Sequence, residues 1–130
     1  MKRLKLLLVM VLSFVSLVGC SSNKLSDAFD EEKLKTSSQE IIQMLCNEDY
    51  DKIEEKSSKE LIDAGVIEKL REVWQSVAEK LGTFDSCEKQ VVIGKDNQAT
   101  VVTIAKFKDG KAQFTITYNE DMKLIGFYIK

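Results

Sequence analysis

The chain predicts an α+β fold, with about three N-terminal helices packed on one face of a curved four-stranded antiparallel sheet. Three observations carry this. Apolar residues recur three and four apart as far as Leu81, the period changes to two after Gly82, and short polar turns then divide the remainder into four runs. Helices first and a meander second belong to the α+β class. The 130 residues, 44% hydrophobic and 31% charged, suit a single domain with one core.

The chain opens with Lys2, Arg3 and Lys5, then an apolar run from Leu6 to Val18 broken only by Ser13 and Ser16. A membrane-crossing helix needs about 20 apolar residues, whereas a signal-peptide core needs about 7–15. The run is therefore read as a leader. Its end, Leu17-Val18-Gly19-Cys20, resembles the lipobox of bacterial lipoproteins. The resemblance implies a diacylglyceryl group on the Cys20 sulfur, cleavage before Cys20, and a protein held on the extracytoplasmic face of the cell membrane. An ordinary secretory leader or an uncleaved anchor is the alternative. One acyl chain binds a bilayer only marginally, so two are about what stable attachment requires.

Residues 1–19 are thus read as signal peptide, 20–28 as a short polar tether and 29–130 as the domain. Loss of Lys2, Arg3 and Lys5 leaves 16 basic against 21 acidic side chains, a formal net charge of −5. Nucleic-acid binding needs clustered positive charge, so no nucleic-acid partner is expected.

The first helix begins at Asp30, with Glu31 and Glu32 where the helix dipole favours negative charge, and ends near Asn47. Leu34, Ile41 and Leu45, with Ile42 and Met44 beside them, form its stripe. Glu48 to Ile53 reads as a short helix with Tyr50 and Ile53 on one side. Ser57-Ser58 offers a cap for Lys59 to Ala64, and Gly65 a stop. In the long third helix Ile67, Leu70, Trp74, Val77 and Leu81 make the apolar face, and Gly82 ends it.

The strands are read as Phe84–Ile93, Ala99–Phe107, Ala112–Tyr118 and Leu124–Ile129. Asp109-Gly110 is the strongest hairpin signal, since a primed turn needs positive φ at both central positions. Centring the turn there sets Phe107 opposite Ala112, Ala105 opposite Phe114, Thr103 opposite Ile116 and Val101 opposite Tyr118. Phe114, Ile116 and Tyr118 then face the helices, while Gln113, Thr115 and Thr117 face away.

The hairpin Phe107-Lys108-Asp109-Gly110-Lys111-Ala112-Gln113-Phe114 and the ending Tyr118-Asn119-Glu120-Asp121-Met122-Lys123-Leu124-Ile125-Gly126-Phe127-Tyr128 carry a second resemblance. So do Asn47-Glu48-Asp49-Tyr50 and Val73-Trp74. From about Phe29 to Lys130 the chain resembles an uncharacterised family of nuclear-transport-factor-2-like (cystatin-like) domains found in Gram-positive surface lipoproteins and ahead of some α/β-hydrolase domains. The resemblance implies a cone-shaped sheet and a cell-envelope setting, and brings no activity with it. Met122 departs from the pattern, which favours glycine because a left-handed backbone is costly with a side chain.

With Cys20 lipidated, Cys46 and Cys87 remain, an even pair outside the reducing cytosol. They fit either a disulfide closing a loop of about 40 residues, worth about 2–4 kcal/mol, or two small buried thiols.

The chain has no histidine, which removes the commonest general base and metal ligand. Two cysteines do not close a four-cysteine zinc site, and no nucleophile elbow, phosphate loop or dinucleotide fingerprint occurs. No catalytic residue, metal or cofactor is expected, and the chain is read as a non-catalytic binding or interaction module. In a binding module, Trp74, Phe114 and Tyr118 would line an apolar pocket, with Thr103 and Gln90 as polar contacts for a small apolar ligand; in a closed core the same side chains fill the space. In an interaction module an envelope protein would meet Ile125, Phe127 and Ile129, provided Leu124, Gly126 and Tyr128 point inward. An isomerase-like enzyme, by analogy with ketosteroid isomerase, would gather Tyr118, Tyr128 and Asp85 or Glu88 in the cone. An open cavity, a filled core with an uncovered sheet face, and a buried carboxylate beside a tyrosine separate the three.

Overall fold

In the computed structural model, which describes residues 25–130, four helices precede an antiparallel sheet. They are α1 (Glu31–Cys46), α2 (Tyr50–Glu55), α3 (Lys59–Asp63) and α4 (Val66–Leu81), followed by β1 (Phe84–Lys95), β2 (Gln98–Phe107), β3 (Gly110–Tyr118) and β4 (Leu124–Ile129). The strands form a meander in the order β1-β2-β3-β4, with the helices on one face. The fold is α+β as the periodicity predicts, and the capped segment after Ser58 makes a fourth helix.

Asp30 caps α1 by accepting from the backbone N–H groups of Glu32 (2.9 Å) and Lys33 (3.1 Å), which satisfies donors that the helix itself leaves free. Its buried face is Leu34, Ser38, Ile41, Ile42 and Leu45. Ser38 occupies the stripe position that no apolar residue fills. The second helix starts two residues later than the sequence suggests, because Glu48 turns left-handed (φ 58°) and the Asp49 N–H returns to the Met44 carbonyl. Ser58 Oγ accepts from the Leu61 N–H (3.1 Å), capping α3. At the end of α4, Gly82 has φ 80°, and a Cβ there would lie 2.8 Å from Asp109 Oδ2, so only glycine fits.

The inner sheet face carries Val101, Thr103, Ala105, Phe107, Phe114, Ile116 and Tyr118, all buried against Leu34, Ile41, Leu45 and Trp74. Each large apolar side chain removed from water contributes about 1.5–3 kcal/mol, so this layer dominates the stability. Upstream, Leu25 packs against the core and Ser26 Oγ donates to Glu120 Oε2 (2.7 Å). The chain therefore joins the domain at Leu25, four residues before Phe29.

Two features differ from the sequence reading. The β2–β3 register is Phe107 opposite Gly110, Ala105 opposite Ala112, Thr103 opposite Phe114 and Val101 opposite Ile116. That is a slip of two residues from a turn centred on Asp109-Gly110. The hairpin turns on Lys108-Asp109 instead, and neither residue has positive φ. The Lys108 and Asp109 N–H groups donate to the carbonyls of Thr83 and Leu81 (both 2.8 Å), so the α4–β1 connection takes the donors of the turn. A slip of two preserves which side chains face inward.

The second difference lies in β4, where a bulge sits between the pairs Thr117–Gly126 and Tyr118–Leu124. Leu124 points inward, but beyond Ile125 the alternation is reversed. Phe127 and Ile129 lie opposite the inward Ile116 and Phe114, while Tyr128 lies opposite the outward Thr115. The expected inward set of Leu124, Gly126 and Tyr128 is thus corrected, and Phe127 and Ile129 are not an outer patch. An extra residue in one strand shifts every following side chain to the other face. The α2–α3 connection pins Leu124 at the bulge, since Ser58 N–H donates to its carbonyl and its N–H to the Lys56 carbonyl (both 2.8 Å).

Met122 takes the left-handed backbone (φ 62°) that the resemblance assigns to glycine. Asn119 Oδ1 accepts from the N–H groups of Asp121 (2.9 Å) and Lys123 (3.0 Å), bracing the loop, and the Met122 side chain packs against the core.

Candidate functional site

The five residues proposed to line a pocket come together on the helix-facing side of the sheet. Trp74 is 1% exposed. Its ring lies 5.9 Å from that of Phe114 and 6.1 Å from that of Phe107, both tilted, and Phe84 meets Phe107 edge-on at 5.5 Å. Such tilted and edge-on pairings are the favoured aromatic arrangements. Phe114, Thr103 and Tyr118 are fully buried.

The polar atoms among them are satisfied by neighbours. Gln90 Nε2 donates to Thr103 Oγ1 and to the Lys35 carbonyl (both 3.1 Å), and Gln39 Nε2 donates to Gln90 Oε1 (2.8 Å). Tyr118 Oη donates to Ser37 Oγ (3.0 Å) and shares a second hydrogen bond with Ser38 Oγ (2.9 Å). Burial pushes the Tyr118 hydroxyl above its ordinary pKa, and the two serine contacts partly oppose this. Among the described residues no buried side-chain polar atom lacks a partner, so the polar groups inside the cone are internally satisfied; Trp74 and Phe107 also border a groove of about 330 Å³ at the end of α1.

The groups of the isomerase-like alternative are not brought together. Tyr118 lies inside, Tyr128 is 71% exposed on the opposite face, and Asp85 and Glu88 sit at the sheet rim against Lys106 (4.0 Å) and Lys111 (2.9 Å). Among the described residues the buried polar ones are Ser38, Ser57, Ser58 and Thr103, with no carboxylate among them.

Cys46 and Cys87 are free, half-buried thiols at the α1–β1 seam. Burial, and then the neighbouring Cys87, pushes the Cys46 thiol up to about 11; burial alone raises Cys87. Cys20 and residues 1–19 lie outside the described residues. Among those described, no helix is long and apolar enough to cross a membrane.

Among the described residues, no helix covers the opposite sheet face. Val91, Ile93, Thr100, Val102, Ile104, Thr115, Thr117 and Tyr128 share it, as the register requires. Val91 is 42% exposed and Ile93 39%, values no core strand residue approaches. Thr100 and Thr117 share a hydrogen bond between their hydroxyls (3.0 Å), and Lys89, Lys106 and Lys111 lie on the same side toward one end of the face. Sequence reasoning missed this surface, although the signal was present. Val91-Val92-Ile93 and Val101-Val102 are unbroken apolar runs, and a strand with water on one face ordinarily alternates.

Among the described residues these features define a small α+β domain with a packed core and a β-branched sheet face that no helix covers. The chain belongs to DUF3887, a family of proteins of unknown function, whose family model matches residues 38–127. The NMR structure of a protein from Ruminococcus gnavus ATCC 29149 has the same fold, with a TM-score of 0.69 at 24% identity over 82% of this chain and 96% of that one. No curated protein matches the chain.

Proposed function

We propose that this protein is a non-catalytic interaction module, anchored by lipid at Cys20 on the extracytoplasmic face of a membrane, whose open sheet face receives an envelope protein. One observation carries the reading. The helix-facing side of the sheet is packed and satisfied, while the other side presents β-branched and aromatic side chains to solvent. A solvent-facing group of β-branched and aromatic side chains of this kind marks a docking surface. The cystatin-like resemblance and the lipobox resemblance support the setting, and the enzymatic alternative has no grouped residues behind it.

Site-specific photocrosslinkers at Ile93 and Tyr128, in the lipidated full chain on intact cells, test this. Crosslinks to a defined envelope protein from both positions, with none from the exposed helix position Glu72, are the expected result. Equal labelling from all three sinks the docking reading. Fatty-acid labelling that persists in a Cys20→Ala chain sinks the anchor.

A further inference from the structure

The seam between α1 and β1 holds the two cysteines of the described domain. The helix is aligned along the strand by the hydrogen bonds from Gln39 to Gln90 and from Gln90 to the Lys35 carbonyl. One turn further on, Gln43 lies with Phe84 and Cys87 in a groove of about 360 Å³. The same Gln43 and Phe84 border the adjoining groove of about 330 Å³, which Cys46 lines. A helix rises about 1.5 Å per residue, so Cys46 lies only about 4.5 Å along the axis from Gln43. Cys87 is paired with the fully buried Ala105, so it faces the helices. The two thiols therefore border adjoining grooves of one seam, with Gln43 and Phe84 common to both, and each is only half-buried.

We propose that Cys46 and Cys87 are an oxidisable pair, closed by a small disulfide-bearing oxidant into a covalent staple between the end of α1 and the edge strand β1. The pairing of β1 with β2 is irregular at this point, with register shifts between Phe84 and Ser86 and between Cys87 and Lys89. A staple at Cys87 would hold the least regular part of an edge strand to the helix layer.

The exchange is balanced. Cys87, as thiolate, attacks one sulfur of the oxidant and displaces the other as a thiolate. Cys46 Sγ, losing its proton, then attacks the Cys87 sulfur of the mixed disulfide and releases the second oxidant thiolate. The two cysteine protons pass by way of water to the two released thiolates, and two electrons reduce the oxidant. The burial that disfavours both thiolates meets no charge in the product.

The test exposes the full chain carrying Cys20→Ser to oxidised glutathione. The expected result is loss of both alkylatable thiols, a peptide linked Cys46 to Cys87 by mass spectrometry, and a rise in melting temperature of about 10 °C that reduction reverses. A Cys46→Ser version should instead carry glutathione on Cys87 and show no such rise. Stable glutathione adducts on both cysteines of the parent chain, a bond between two chains, or thiols that remain alkylatable would overturn the proposal.

Discussion

The two faces of one sheet are put to opposite uses. On the inner face Thr103 and Tyr118 are as buried as Phe114 and Ile116, and each hydroxyl has its partner. On the outer face Val91 and Ile93 of β1 belong to the same sheet and the same β-branched class as Ile116, yet remain in water. Residue type alone does not distinguish them; the layer of helices does. The inner face is committed to stability, whereas the exposed side chains of the outer one contribute little to it.

The largest effect should come from breaking the inner layer. Trp74→Ala removes the ring against which Phe107 and Phe114 pack, and urea unfolding should show a loss of about 3–5 kcal/mol. A loss below about 1 kcal/mol would mean that the cone tolerates a void and is less tightly filled than its geometry implies.

Tyr118→Phe should cost about 1–3 kcal/mol in the same assay, because Ser38, fully buried, loses its partner. Adding Ser38→Ala should return part of that loss, since the unsatisfied hydroxyl then disappears too. Simple additivity of the two changes would contradict a shared hydrogen bond.

Alkaline pH should act on the helix-facing side of the molecule, through the groups whose protons burial holds. Cys46 has a folded pKa of about 11 against an ordinary 9.0, and Tyr118 is raised above 10.0. In each case the folded chain retains a proton that the unfolded chain has given up. Stability is therefore fully present below about pH 9 and lost as pH rises toward 11 and beyond. Urea midpoints at a series of pH values should fall across this window, and less steeply for Cys46→Ser. An unchanged slope in that variant would remove Cys46 from the account.

The smallest effect on stability is expected outside. Val91→Thr with Ile93→Thr should shift the unfolding free energy by no more than about 0.5 kcal/mol, while abolishing crosslinking from Tyr128. A loss of several kcal/mol would show that this face is packed in solution, and the contrast between the faces would fail.

Much of this contrast was legible along the chain. Asp30, Ser58 and Gly82 mark helix ends because capping and left-handed geometry are local matters, decided within a few residues. The inner residues of β2 and β3 follow from alternation, which survives even a two-residue error in register. The candidate site was less legible, because the signal at Val91-Val92-Ile93 says that both faces are apolar without saying which one the helices cover.

By itself the sequence determined the α+β class, the element order and the inward residues of β2 and β3, since these depend on local periodicity and composition. Only the tertiary structure decided that the hairpin turns on Lys108-Asp109, that β4 bulges at Ile125, and that Cys46 and Cys87 border neighbouring grooves of one seam. Each depends on groups far apart in the chain: the Leu81 and Thr83 carbonyls at the turn, Lys56 and Ser58 at Leu124, and Gln43 between the two cysteines. Hydrogen bonds and packing over such distances leave no periodic trace in the residues that make them.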